Sequence, residues 1–259
     1  MQIIIPMTGY GSRFVAAGYK ELKPFIKVLD KTIIEWIVKG MYPGENNFIF
    51  VCRKEHLDSI YGMREILMEV CPTGKIYEVN PWIKKGPVYD VLRASEWIDD
   101  DAAAIINYCD FYMSWDWADF KKKVKERDCE GCIPCYTGFH PHLIPEKNLY
   151  ASCLTDEQDN LVEIKEKFSF EKDKTKAKHS PGTYYFRSGR LLKEYCQKLV
   201  DSEQTINGEY YASLPYNFMV QDGLKVWVPT DIKYFCQWGT PEDMKEFEYW
   251  IKTIRGVKR

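Results

Sequence analysis

The chain is expected to fold as an α/β protein: a mostly parallel sheet flanked by helices, with an antiparallel portion in its second half. Three observations lead there. Apolar runs of strand length recur early, at Ile3–Ile5, Asn47–Cys52 (NFIFVC) and Ala102–Ile106 (AAAII), and short unbroken runs of this kind suit strands buried on both faces. Segments with helical apolar spacing lie between them, and strands alternating with helices imply a parallel sheet. Past residue 125 the pattern changes to short strand-like segments separated by polar turns.

Taken in order, Gln2–Ile5 is the first strand, followed by the glycine-bearing stretch Thr8-Gly9-Tyr10-Gly11-Ser12-Arg13-Phe14 and then Lys23-Pro24. Lys31–Lys39 places Ile33, Ile34, Ile37 and Val38 on one helical stripe. Asn47–Cys52 is the second strand, His56–Met68 a helix and Lys75–Val79 a third strand. A Gly86-Pro87 turn opens the next helix, and Ala102–Ile106 is a fourth strand ending at Asn107-Tyr108-Cys109-Asp110. A charged helix follows Asp119, and Gly131–Tyr136 is a further strand. Tyr150–Leu154, Leu161–Ile164 and Thr183–Phe186 are expected to run antiparallel and to continue the same sheet. Glu171–Lys178 is expected to be a mobile charged loop. Leu191–Val200 and Pro241–Ile254 are helices, the last with Thr240 as its N-cap and Pro241 at its first position.

The chain's 259 residues, 45% of them hydrophobic, can bury a sizeable core. One domain is expected over residues 1–259, with 1–125 mainly binding nucleotide and 126–259 mainly binding an acceptor and forming a lid. A net charge of −2 offers no global attraction to nucleic acid or to an anionic membrane. No apolar run approaches the ~20 residues of a membrane span, and with strand already at the N-terminus no signal peptide is expected. The nine scattered cysteines suit reduced thiols, so a cytoplasmic setting is expected. Cys129, Cys132 and Cys135 have iron–sulfur-like spacing but no fourth thiol, so core packing is the better reading. His140-Pro141-His142 is set aside as a metal site.

Chemistry concentrates in the first loop. Gly9 and Gly11 let backbone N–H groups approach an anion closely, and Arg13 and Lys23 add a bidentate fork and a point charge. Together they describe a polyphosphate site. The dinucleotide fingerprint would need a glycine where Phe14 stands, and a P-loop would end in Gly-Lys-Ser/Thr. Ligands of parallel sheets bind beyond the carboxyl ends of the strands, which would gather the Gly9 loop, the Gly86 loop and Asp110 at one cleft.

Gly9-x-Gly11-Ser12-Arg13-Phe14 followed by Lys23-Pro24 resembles the signature of the sugar-phosphate nucleotidyltransferases, and the wider stretch Ile3–Val28 resembles their capsule-locus BcbE-like branch. The resemblance implies a Rossmann-like sheet of the nucleotide-diphospho-sugar transferase type. It also implies transfer of a nucleoside monophosphate from an NTP to a sugar 1-phosphate or similar phosphomonoester, with release of pyrophosphate, for surface polysaccharide. In that frame Thr8, Gly9, Gly11, Ser12 and Gly86 bind nucleotide, Arg13 and Lys23 neutralise its phosphates, and Asp110 holds Mg²⁺. Lys167, in Glu166-Lys167-Phe168, would grip the acceptor phosphate, with Glu209 and Asn107 as further acceptor ligands. Gln237 in Gln237-Trp238-Gly239-Thr240 stands where the family carries a second metal-binding Asp, and an amide oxygen can coordinate but brings no charge. NTP and a small phosphorylated acceptor are the implied partners, and a homo-oligomer is compatible with them.

Two alternatives belong to other classes. A nucleotide-sugar-dependent glycosyltransferase would use an Asp-x-Asp motif, whereas Asp110-Phe111-Tyr112 has one of the two carboxylates. A non-catalytic regulatory nucleotide-binding module would tolerate Gln237 in place of the carboxylate.

Overall fold

The computed structural model describes residues 1–58 and 62–254. At its centre is a seven-stranded sheet in the order Val226–Trp227, Gly131–Cys132, Thr183–Phe186, Ala104–Asn107, Gln2–Pro6, Phe48–Arg53, Lys75–Val79. The strand Gln2–Pro6 pairs in parallel with Phe48–Arg53 on one side and Ala104–Asn107 on the other. Thr183–Phe186 runs antiparallel to both of its neighbours. The sheet is thus mixed and mostly parallel, as the alternation of runs predicts.

The all-apolar strands are explained by their surroundings. Ile3 and Ile5 face one apolar layer and Ile4 the other, and Phe48, Phe50 and Cys52 divide from Ile49 and Val51 in the same way. Side chains alternate across a strand, so only a sheet covered on both faces makes every position apolar. All eight of these side chains are fully buried. Helices Pro87–Arg93, Gly189–Asp201 and Pro215–Gln221 supply much of one cover.

Several local expectations change. Ser152–Thr155, Leu161–Lys165 and Lys178–His179 form their own three-stranded antiparallel sheet, so only Thr183–Phe186 of the three expected strands extends the main one. Within Gly131–Tyr136 only Gly131–Cys132 is strand, and a proline at 134 removes a ladder donor. Of the stripe expected over Lys31–Lys39, Lys31–Thr32 is instead a short strand paired with Lys27–Val28; the chain is helical from Ile33, and Trp36–Met41 winds as a π-helix. In place of one helix over His56–Met68 stand Lys54–Leu57 and Met63–Val70, and positions 59–61 lie outside the described residues. The loop at Glu171–Lys178 is tethered, because the Lys174 ammonium donates to the carbonyls of Leu143 (3.3 Å), Glu146 (2.7 Å) and Pro145. Thr240 does cap the last helix, its hydroxyl accepting from the Asp243 N–H while Asp243 accepts from the Thr240 N–H. Cys129, Cys132 and Cys135 are buried core thiols. Among the described residues no helix is long and apolar enough to cross a membrane.

Candidate active site

The parallel strands Gln2–Pro6, Lys75–Val79 and Ala104–Asn107 release their chains at one edge of the sheet. There the loops enclose a cavity of about 680 Å³ that collects Thr8, Gly9, Gly11, Ser12, Lys23, Gly86, Asp110 and Glu209. Eight of the expected site residues, from four separate stretches of sequence, therefore share one wall.

Two glycines shape it. Gly11 has φ +61° and precedes the short helix Ser12–Ala16. A Cβ there would lie 3.2 Å from the Lys23 Cβ, so the glycine lets the Lys23-Pro24-Phe25 turn close against the loop. Gly86 has φ +91°, and a Cβ on it would lie 2.7 Å from the Tyr210 nitrogen. The Tyr210 N–H donates to the Lys85 carbonyl (2.8 Å), and the Val88 N–H to the Tyr210 carbonyl (3.2 Å). These two bonds fasten segment 209–210 to the Gly86 loop and hold Glu209 at the cavity, where it pairs with Lys84 at 3.2 Å.

The Lys23 ammonium lies 3.3 Å from the Asp110 carboxylate and 5.6 Å from the centre of the buried Phe14 ring. Asp110 keeps 39% of its side chain exposed, so it remains open to a cation. Arg13 sits exposed on the helix Ser12–Ala16, outside the cavity lining. It and Asp110 both act electrostatically on Tyr150, whose phenol burial pushes up. Lys167 lies behind the wall, its ammonium 5.3 Å over the ring of Tyr211, which does line the cavity. Burial, with Glu209 beside it, pushes the Tyr211 phenol up to about 12.

Two expected ligands stand elsewhere. Asn107 is fully buried inside its strand, not at the cleft. Its carbonyl accepts from the Tyr42 and Thr183 hydroxyls at 2.7 and 2.6 Å, and its amide donates to the Tyr108 carbonyl at 2.8 Å, so it ties strands together. Gln237 is opposite Phe111 in the ribbon Phe111–Ser114/Tyr234–Gln237, one position off Asp110, and alternate strand positions face opposite ways. Its side chain lines a second cavity with His140, His142 and Asp243, and it folds over Gly239, where a Cβ would meet its amide nitrogen at 2.4 Å.

Asp90 and Trp82 are cavity residues that the sequence reading missed. Asp90 is 2% exposed and accepts from the Thr8 hydroxyl at 2.5 Å and the Trp82 indole N–H at 3.5 Å, both on Oδ2. Burial raises its pKa to about 6, against the opposing pull of those hydrogen bonds and of Arg93 and Arg53. The missed signal was a carboxylate on the stripe Pro87, Asp90, Val91, Ala94, at i, i+3, i+4 and i+7 of a helix.

No protein-family model matches the chain, and no curated protein matches it in sequence. Solved structures do. A nucleoside-diphosphate-sugar pyrophosphorylase from Vibrio cholerae superposes with TM-score 0.77 at 19% identity, over 96% of this chain and 100% of that one. The chain has the nucleotide-diphospho-sugar transferase fold. A putative glucose-1-phosphate thymidylyltransferase from Bacillus anthracis gives 0.73 at 13% identity, over 96% and 94% of the two chains. An inositol-1-phosphate CTP transferase from T. maritima gives 0.71 at 14%, over 100% and 97%. The three share this architecture nearly end to end, the antiparallel second half included.

Proposed function

We propose that the protein is a nucleotidyltransferase that moves a nucleoside monophosphate from an NTP to a phosphomonoester, with release of pyrophosphate. The observation that carries the reading is the single cavity where the Gly9–Ser12 loop, Lys23 and Asp110 meet Gly86 and Glu209. The fold supports it, since proteins named for this reaction share it. In the step proposed, an acceptor phosphate oxygen attacks the NTP α-phosphorus and the bond from that phosphorus to the β-phosphate bridging oxygen breaks. Pyrophosphate departs with that oxygen. The chain supplies no nucleophile; it positions two anions and offsets charge on the leaving group.

Lys23 would leave Asp110 for the phosphates, and the amides of Gly9 to Ser12 would bind them. Arg13 would approach from the rim. Asp110 suits Mg²⁺, which takes few carboxylates and completes its shell with substrate oxygens and water; the ion would offset phosphate charge. Among the described residues no group of three or more His, Cys, Asp or Glu could hold a metal, so the fit is to an ion brought in by the nucleotide. Residues 1–125 would then serve the nucleotide and 126–259 the acceptor, with Glu209 on its hydroxyls and Lys167 on its phosphate. The resemblance of Ile3–Val28 to the capsule-locus branch favours a sugar 1-phosphate for surface polysaccharide as the acceptor.

The test is incubation of the protein with Mg²⁺, a panel of NTPs and candidate sugar phosphates, following pyrophosphate. Release that requires both an NTP and an acceptor is expected. Transfer from a nucleotide sugar without pyrophosphate would favour a glycosyltransferase, and nucleotide binding without turnover a regulatory module.

A further inference from the structure

We infer that Asp90 reads the nucleobase, and that its Oδ1 selects NTPs whose base carries an exocyclic amino group over UTP and dTTP. The inference rests on the nucleotidyl-transfer reading and adds the class of nucleotide to it.

The carboxylate is built into the cavity wall with one oxygen unused. Oδ2 takes the Thr8 hydroxyl and the Trp82 indole N–H, while Oδ1 is buried and has no hydrogen-bond partner among the described residues. A buried oxygen without a donor is unfavourable, and a ligand's N–H would complete it. The two guanidinium groups that act electrostatically on it are engaged elsewhere. Arg53 lies over the Tyr10 and Trp82 rings, at 3.7 and 4.7 Å from their centres, and pairs with Glu55 at 2.5 Å. Arg93 donates to the carbonyls of Asn80 (3.1 Å) and Pro81.

The surroundings say which part of a nucleotide comes here. A polyphosphate would be repelled by a buried carboxylate, and the cavity already offers the Lys23 cation and the backbone amides of Gly11 and Ser12. Beside Asp90 the wall is aromatic, with Trp82 and Tyr10 in edge contact at 5.0 Å. Flat rings next to a lone acceptor suit a heteroaromatic base, because stacking accepts any base and the polar group chooses among them.

The choice follows from donor and acceptor patterns. Cytosine N4, adenine N6 and guanine N2 each carry an amino group that can donate to Oδ1. Uracil and thymine place O4 where cytosine has N4, so two oxygen acceptors would face each other out of water. A site built to receive a donor rejects an analogue without one, because its own polar group is left unpaired.

The experiment is calorimetric binding of CTP, ATP, GTP, UTP and dTTP with Mg²⁺ at pH 8, to the parent protein and to Asp90→Asn. At least one of CTP, ATP and GTP is expected to bind at least about tenfold more tightly than UTP and dTTP, the scale of one hydrogen bond to a charged group. Asp90→Asn can keep its carbonyl on Thr8 and turn an amide N–H₂ donor into the cavity, so the CTP-to-UTP ratio should shift toward UTP by about tenfold or more. Tighter binding of UTP or dTTP by the parent would overturn the inference, as would an unchanged ratio in the variant. Equal binding of all five would sink the base assignment and leave the triphosphate site standing, whereas binding of none would sink both. If the variant does not fold, the parent's ranking of CTP, ATP and GTP against UTP and dTTP decides alone.

Discussion

Asp90 and Asp110 line one cavity but are held in opposite ways. Asp110 is partly open and has Lys23 beside it, so its charge is compensated. Asp90 is buried with no ion-pair partner among the described residues, and burial raises its pKa to about 6. In the unfolded chain it would titrate near 4. The folded protein therefore holds the extra proton between about pH 4 and 6, and stability is lost as pH rises through that window. At full ionisation the loss is on the order of 3 kcal/mol. Asp90→Asn stays neutral, so urea unfolding should find it more stable than the parent at pH 8, with the difference closing near pH 4. A gap that widens toward acid would mean the carboxylate stabilises the fold. Lys23→Ala separates activity from stability in another way. Removing a group aimed at developing phosphate charge should lower kcat/KM at least about a hundredfold, while the lost partly exposed ion pair is worth only about 0–1 kcal/mol. A folded variant with normal turnover would remove Lys23 from the site. That Gly9, Gly11 and Lys23 share one cavity wall was legible because they lie within one short stretch. Asp90 was not, because a charged helical position reads as solvent-facing until the sheet edge beneath it is known.

The same contrast holds for whole elements. The strands Lys75–Val79 and Thr183–Phe186 begin and end where the sequence places them, and the helix from Pro241 begins where it does, since apolar runs and a capped start are local signals. The ribbon of Phe111–Ser114 with Tyr234–Gln237 joins segments distant in sequence, and its register, which turns Gln237 away from Asp110, has no local signal. Apolar spacing marks Trp36–Met41 as helical but does not distinguish i+4 from i+5 bonding. The loop after Lys75–Val79 depends on a single residue. Gly86→Ala would force a side chain into positive φ and against the Tyr210 backbone, a strain of roughly 1–3 kcal/mol that loosens Glu209 as well. Its melting temperature and its turnover should both fall. Gly9→Ala is the matched control: a Cβ there meets nothing within 4 Å but enters the cavity. It should melt like the parent and bind NTP more weakly. Equal behaviour of the two variants in melting would refute the locking role of Gly86.

On the scale of the molecule, a net charge of −2 means that anion binding must be local, and the candidate cations come from different halves of the chain. In the proposed reading Lys23 would serve the nucleotide, and Lys167, whose ammonium lies over the Tyr211 ring, would serve the acceptor. Lys167→Ala should therefore raise KM for the acceptor and leave NTP affinity in calorimetry nearly unchanged, because a lost ground-state contact appears in KM. With Gln237 directed to another cavity, Asp110 is the carboxylate beside Lys23, and one half-exposed carboxylate paired to a lysine is a weak site for free Mg²⁺. Since a ligand stabilises only in proportion to its occupancy of the folded state, millimolar Mg²⁺ alone should leave the melting temperature unchanged. Mg²⁺ with the preferred NTP at about a hundred times its Kd should add roughly 2.7 kcal/mol. Asp110→Asn should abolish turnover and reduce the Mg²⁺ dependence of NTP binding, yet retain metal-independent binding through the loop amides and Lys23. A large rise in melting temperature with Mg²⁺ alone would show that the protein supplies a preformed cage of its own, and the ion would then not depend on the nucleotide to enter.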